Sequence, residues 1–200
     1  MSHEISTVEV VFRDLSDAFD ELSAQNLSPR KVRTVFSNFL ELSYRLTQMM
    51  YKEYPRKTGE KWQAKNFDRW NEVSEFLKEL RPIDAHKHTV LIQVHERNFF
   101  GITEDSPECF VSEHTWSIGD QHANLPPEGV RAIVVDPKTG QAHQVPPRKT
   151  EYEFYLYPHT EEKEAELLQL GDRNIHSLSK KYFDTLKEYY QYYHERLTTR

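Results

Sequence analysis

An arginine and a histidine held close together can carry out phosphoryl chemistry without a metal. Arg81 is followed at R-x4-H spacing by His86 and at R-x6-H spacing by His88, in the stretch FLKELRPIDAHKH. A neutral imidazole, with an unperturbed pKa of about 6.5, can take or give a proton near neutral pH. A guanidinium offers a planar fork of donors to a phosphate whose charge grows in the transition state. If the substrate is RNA, it brings its own nucleophile, the 2′-hydroxyl. Asp84 and Glu79 are near enough in sequence to orient the histidine or the arginine. A plainer reading fits the same residues. Arg81 then solvates a helix C-terminus, where a cation is favoured, and the two histidines and two carboxylates are solvated surface groups.

A second set of candidates is metal-binding. His114, Asp120 and His122 lie close together with Glu113 beside them, and His86 and His88 can add imidazoles. Zinc takes histidine and harder metals take carboxylates. The spacing matches no signature such as H-E-x-x-H, and ten histidines are scattered along the chain. No metal and no cofactor is therefore assigned. Nucleophilic hydrolase motifs are missing: there is no G-x-S-x-G, and Cys109 has no neighbouring residues that would activate it. With six glycines and neither a Walker A nor a G-x-G-x-x-G pattern, the chain has no nucleotide cradle of those kinds. Tyr189, Tyr190, Tyr192 and Tyr193 can stack on bases. They also cover several faces of one helix, which reads as bundle core plus a dimer contact.

The arginine at the end of an apolar helix, followed by a histidine four to six residues on, resembles the signature of HEPN domains. These are helical bundles that often act as RNases in toxin–antitoxin, CRISPR and phage-defence systems. The resemblance covers residues 29–88 and the helical stretch 177–197, and leaves out the segment between them. It implies a metal-independent ribonuclease with Arg81 and His86 in the site, His88 and Asp84 as further candidates, and RNA as the ligand. It also implies a homodimer that shares one cleft, and an antitoxin or defence-system partner. The family usually has Asn, Asp or His directly after the arginine, where this chain has Pro82. The competing reading is a non-catalytic binding or scaffold protein that keeps the bundle and lacks the reaction.

Composition sets the outer bounds. Two hundred residues suffice for one substantial domain, and 11 Phe, 11 Tyr and 3 Trp supply a core. No apolar run approaches the ~18 residues that span a bilayer. The start, MSHEISTVEV, lacks a basic region followed by an apolar run. A single cysteine fits a reducing compartment, and a cytoplasmic protein is expected. A net charge of −6 argues against a generic nucleic-acid coating protein but leaves room for a local basic site.

The elements that must position these residues follow from periodicity. Ser6 and Glu9 form a capping box ahead of a helix to about Ala24. Ser28-Pro29 opens a long helix expected to stop before Pro55, with a basic loop over 56–65. Asn66 caps a third helix over 67–80. After His88 the period changes to that of strands: 89–95 with a hairpin partner at 98–103, then 110–118, 130–135, 141–145 and 151–157. Residues 130–135 (VRAIVV) read as the buried centre of the sheet. Thr160 caps a helix that stops at Gly171, and a last helix covers 177–197. The fold class is α+β in a single domain. A mostly helical bundle over 6–88 and 160–200 carries an inserted antiparallel β segment over 89–157.

Overall fold

The computed structural model describes residues 7–25, 27–86, 91–101, 109–118, 131–135, 139–157 and 160–198, with the side chains of 65, 81–86, 91 and 109 left out. Among the described residues five α-helices and five strands follow in chain order: α1 (Thr7–Ser23), α2 (Pro29–Thr58), α3 (Glu72–His86), β1 (Leu91–Gly101), β2 (Cys109–Ile118), β3 (Ala132–Val135), β4 (Ala142–Val145), β5 (Lys149–Tyr157), α4 (Glu161–Leu170) and α5 (Ile175–Thr198). The chain is α+β, and its antiparallel strands lie between helices, as the periodicity indicates. Among the described residues no helix is long and apolar enough to cross a membrane. Ser6 of the expected capping box lies outside the described residues.

The long helix starts where the sequence places it. The Ser28 hydroxyl accepts the Lys31 N–H at 3.4 Å, and Pro29 occupies the first turn. It does not stop before Pro55, however, but runs through it to Thr58. A proline removes only its own N–H from the ladder, and near a helix end that loss is tolerated when the last turn is held by other contacts. Here Tyr54 is buried against Trp62 and Tyr193, and Lys57 pairs with Glu53 at 2.5 Å. Gly59 takes a left-handed φ of 75° and donates its N–H to the Pro55 carbonyl. Of the expected loop over 56–65, residues 56–58 belong to the helix end, 59–63 are irregular, and a 3-10 turn follows at Ala64–Asn66.

The third helix is shifted as a whole. Asn71, not Asn66, is the residue that caps it: its Oδ1 accepts the Ser74 N–H at 2.9 Å and its Nδ2 donates to Thr185 Oγ1 at 2.9 Å. Phe67 and Trp70 reach the core from the irregular approach to the helix, against Tyr189 at 5.1 and 5.5 Å between ring centroids. Their helical spacing is accidental, because an irregular segment can bury the same residues. The helix then continues past Leu80, through Pro82, to His86.

The sheet differs most from expectation. Residues 91–101 are one strand, not two strands of a hairpin, and β1 is the centre of the order β2-β1-β5. Nothing between His95 and Asn98 supplies turn chemistry. Residues 132–135 of the VRAIVV stretch, expected at the centre, instead form a separate two-stranded antiparallel sheet with β4. Ile133 and Val135 are 69% and 57% exposed, so the apolar run is not a buried strand. A short apolar run alone cannot distinguish a core strand from a solvated hairpin.

One core joins both layers. Phe36, Phe39, Leu46, Phe76 and Leu186 are buried as expected, while Trp70 and Phe183 are half-buried against the same cluster. Ile92, Val94, Ile118, Phe154 and Leu156 extend the cluster from one face of the sheet. The Leu156 N–H donates to the Arg173 carbonyl at 2.9 Å, tying β5 to the approach of α5. The tyrosines of α5 find their second surface within the chain: Tyr190 stacks on Phe12 at 3.9 Å, and Tyr192 lies 5.6 Å from both Trp62 and Phe67.

Candidate functional site

Arg81, Asp84 and His86 all lie in the C-terminal part of α3. The sequence places Arg81 at a helix end with His86 on the loop beyond, whereas both belong to one helix. Positions five apart on an α-helix are separated by about 140° around its axis and about 7.5 Å along it. Positions 81 and 84, three apart, are neighbours on one side. The side chains of 81–86 and all of His88 lie outside the described residues.

What surrounds α3 is acidic. Lys163 of α4 bridges Glu79 at 2.5 Å and Glu166 at 2.7 Å, so Glu79 has a partner on α4. Burial pushes the Lys163 ammonium down, but the hydrogen bonds to Glu166 and Glu79 outweigh it and hold its pKa above the usual lysine value. Between α3 and α4 runs a groove of 460 Å³ walled by Trp70, Phe76 and Leu170 and rimmed by Glu72, Glu75, Glu79 and Glu166. Burial raises the Glu75 pKa, yet hydrogen bonds from Lys78 and the Trp70 indole bring it below the ordinary value. Carboxylates repel phosphate, although Lys78 and Lys163 pair with three of these four and offset part of that charge.

Positive charge is gathered on α2. That helix carries seven basic residues and two acidic ones, a net +5 in a chain of net −6. Helix α1, packed against it, has five acidic residues and one basic. Arg45, Lys52 and Arg56 are at least partly exposed and recur at spacings of seven and four, which puts them on one side of the helix. None of the three makes an ion pair among the described residues, whereas Lys31 and Lys57 of the same helix are paired with Glu21 and Glu53. Tyr51, 46% exposed, adds an aromatic ring beside Lys52. The local excess is legible as seven cations over 29–58, but it is hidden in the overall acidic charge.

The sheet carries a polar row that sequence reasoning misses. Glu96 and Asn98 face inward from β1 and are buried. Glu96 accepts from Asn98 Nδ2 at 2.7 Å and from Trp116 Nε1 at 3.1 Å, and Asn98 Oδ1 accepts from Thr150 at 2.7 Å. Taken as one strand, 91–101 reveals it, since Ile92, Val94, Glu96, Asn98 and Phe100 alternate. Each partner is a neutral side chain within the row, so it works as an internal fastening. The expected metal set is divided here. Glu113 pairs with Arg97 at 2.9 Å, while the adjacent His114 lies on the opposite face with its Nε2 2.7 Å from the Ser112 hydroxyl. Asp120 and His122 lie outside the described residues, and among those described no group of three metal-binding side chains occurs.

No family model, no curated protein and no solved structure matches the chain.

Proposed function

We propose that this protein acts on RNA, with the basic side of α2 taking the phosphate backbone and Arg81 and His86 cleaving it without a metal. The observation that carries the RNA half is charge segregation: a net +5 helix, with Arg45, Lys52 and Arg56 on one side and without ion pairs among the described residues, in a chain of net −6. The cleavage half rests on the resemblance to HEPN domains. In that reaction His86 removes the 2′-hydroxyl proton or protonates the leaving 5′-oxygen, and Arg81 holds the phosphoryl oxygens. The 2′-oxygen attacks the phosphorus, the bond to the 5′-oxygen breaks, and the products end in a 2′,3′-cyclic phosphate and a 5′-hydroxyl. The ~140° between helix positions 81 and 86 favours a site completed by a second copy, each chain facing the other across a twofold axis. A cytoplasmic defence or toxin–antitoxin setting, with an antitoxin as partner, accords with this chemistry.

The same 140° favours a second reading, in which the chain binds RNA without cutting it. Pro82, in the position where the family carries a polar residue, points the same way. Salt-dependent binding of an unstructured oligoribonucleotide tests the shared part. Replacing Arg45, Lys52 and Arg56 with serine should flatten the slope of log K against log salt by about 2, at about 0.7 for each phosphate left without its cation. An unchanged slope removes α2 from the interface.

A further inference from the structure

The two edges of the sheet β2-β1-β5 differ. On β5 the Leu156 N–H donates to the Arg173 carbonyl and Tyr155 bridges Asn174, so the approach to α5 closes that edge. The rest of β5 carries Lys149, Glu151 and Glu153, charges that discourage further strand pairing. The same bond fixes which way each backbone group points, because alternate residues of a strand turn their N–H and C=O to opposite sides. Leu156 turns away from β1, so Tyr155 turns toward Gln93 opposite it, and the odd-numbered residues of β1 serve β5. The Phe99 carbonyl agrees, since it accepts the Arg148 N–H on that side. The even-numbered residues of β1 then serve β2, with Val94 opposite Trp116 and Glu96 opposite His114. This leaves the N–H and C=O of Val111, Glu113, Thr115 and Ser117 on the outer edge of β2. No strand among the described residues pairs with that edge. Phe110, Val111, Glu113, His114 and Thr115 are all exposed along it.

We propose that β2 pairs antiparallel with β2 of a second copy across a twofold axis, making one continuous sheet of order β5-β1-β2-β2-β1-β5. An added strand satisfies the backbone groups of an open edge, and it must be extended and of matching length. A second β2 meets both conditions. The strand has none of the lysines or prolines that guard such edges, and Glu113, its one carboxylate, is already paired with Arg97. A twofold axis perpendicular to the sheet keeps each face on its own side, so a residue meets only residues of the same face. Centred on Ser112 or His114, the pairing sets Glu113 opposite the partner's Val111 or the partner's Thr115. Centred on Glu113, it would set two carboxylates directly opposite each other, which is unfavourable. Because the β5 edge is closed, pairing stops at two chains and does not run on into a fibre. The interface stands apart from the RNA reading and from Arg81 and His86.

Sedimentation equilibrium of the full chain, together with disulfide cross-linking, tests it. Wild type should be a dimer at tens of micromolar. Thr115→Pro removes an outward N–H and no bond to β1, so the variant should keep the wild-type circular dichroism and weaken the dimer at least tenfold. Cysteine substitution reads the interface without a proline. In a Cys109→Ser background, Ser112→Cys or His114→Cys should form an intermolecular disulfide on mild oxidation. The residue on the twofold meets its own copy at a Cα separation of about 4.5 Å, within the reach of a disulfide. A cross-link at either position, with the dimer weakened by Thr115→Pro, supports the interface and names its register. If Thr115→Pro does not fold, the cross-link alone decides. Wild type that stays monomeric at hundreds of micromolar overturns the proposal. So does a dimer that survives intact in folded Thr115→Pro, or one that neither cysteine cross-links, since the second copy then sits on another surface.

Discussion

Tyr189→Phe removes one oxygen from the centre of the aromatic cluster and nothing else. Tyr189 and Trp62 are 2% and 6% exposed, and the Trp62 indole N–H donates to the Tyr189 hydroxyl at 2.6 Å. Burial holds the Tyr189 phenol well above its ordinary pKa, so it is the neutral hydroxyl that accepts. The phenylalanine ring keeps its contacts with Trp62, Phe67 and Trp70, at 5.7, 5.1 and 5.5 Å, and no sizeable cavity opens. The buried indole N–H is left without an acceptor. Such an orphan costs about 1–3 kcal/mol, more than the net value of the bond itself. For a chain of this size about 1 kcal/mol moves Tm by about 2–4 °C, which gives a fall of about 2–12 °C. Thermal and denaturant unfolding should agree on the loss, at an unchanged m-value. Adding Trp62→Phe removes the donor as well, so the two changes should couple by about 0.5–3 kcal/mol in a double-mutant cycle. A Tyr189→Phe protein within about 0.5 kcal/mol of wild type would refute the assignment of the hydrogen bond as a buried fastening.

Three other expectations follow from named contacts. Asn71→Ala removes the α3 cap and the bond to Thr185, and should cost about 1–2 kcal/mol in denaturant unfolding. Trp116→Phe takes the indole donor from the buried Glu96 side chain, a loss of about 1–3 kcal/mol for a buried acceptor left short of a donor, read the same way. Burial lowers the pKa of His176 and His194, against a bond from His176 to the Leu22 carbonyl and the carboxylates of Glu9 and Glu53 near His194. The unfolded chain therefore binds more protons, so stability is full above the unfolded histidine pKa of about 6.5 and declines as pH falls below it. Asp172 and Glu75, whose folded pKa values are lowered, should add a second decline below about pH 4. Denaturant midpoints from about pH 8 to about pH 3 should show both steps, and a flat profile between about 7 and 5 would contradict the first.

The helices are legible because their signals are local. Ser28-Pro29, Thr160 and Gly171 mark boundaries that the structure keeps, with Thr160 accepting the Lys163 N–H at 3.2 Å and Gly171 at a φ of 65°. Where tertiary contacts decide, the local signals mislead. Pro55 is tolerated because Tyr54 is buried and Gly59 closes the turn, and Asn71 outcompetes Asn66 because Thr185 holds its amide. VRAIVV reads as core because its run is apolar, while the real centre, β1, contains Glu96, Arg97 and Asn98. A buried carboxylate satisfied by Asn98 of its own strand and Trp116 of β2 cannot be recognised until the register is known. The Arg81–His86 spacing is plain in the sequence, yet the continuation of α3 to His86 changes what it means. Spacing that reads as a helix end plus a loop is divergence when the helix goes on.

Cleavage of RNA by wild type beside His86→Ala tests the central claim most directly. Purified full-length protein is incubated with mixed cellular RNA, with and without EDTA, and the product ends are identified. Wild type should cut in the presence of chelator and leave 2′,3′-cyclic phosphates. His86→Ala should lose the activity by about 10²–10⁴-fold, the usual range for a proton-transfer group, while its unfolding midpoint stays near wild type. Equal cutting by wild type and His86→Ala, or full inhibition by EDTA, would contradict the mechanism. No cutting by wild type, with RNA binding intact, would establish the non-catalytic reading in its place.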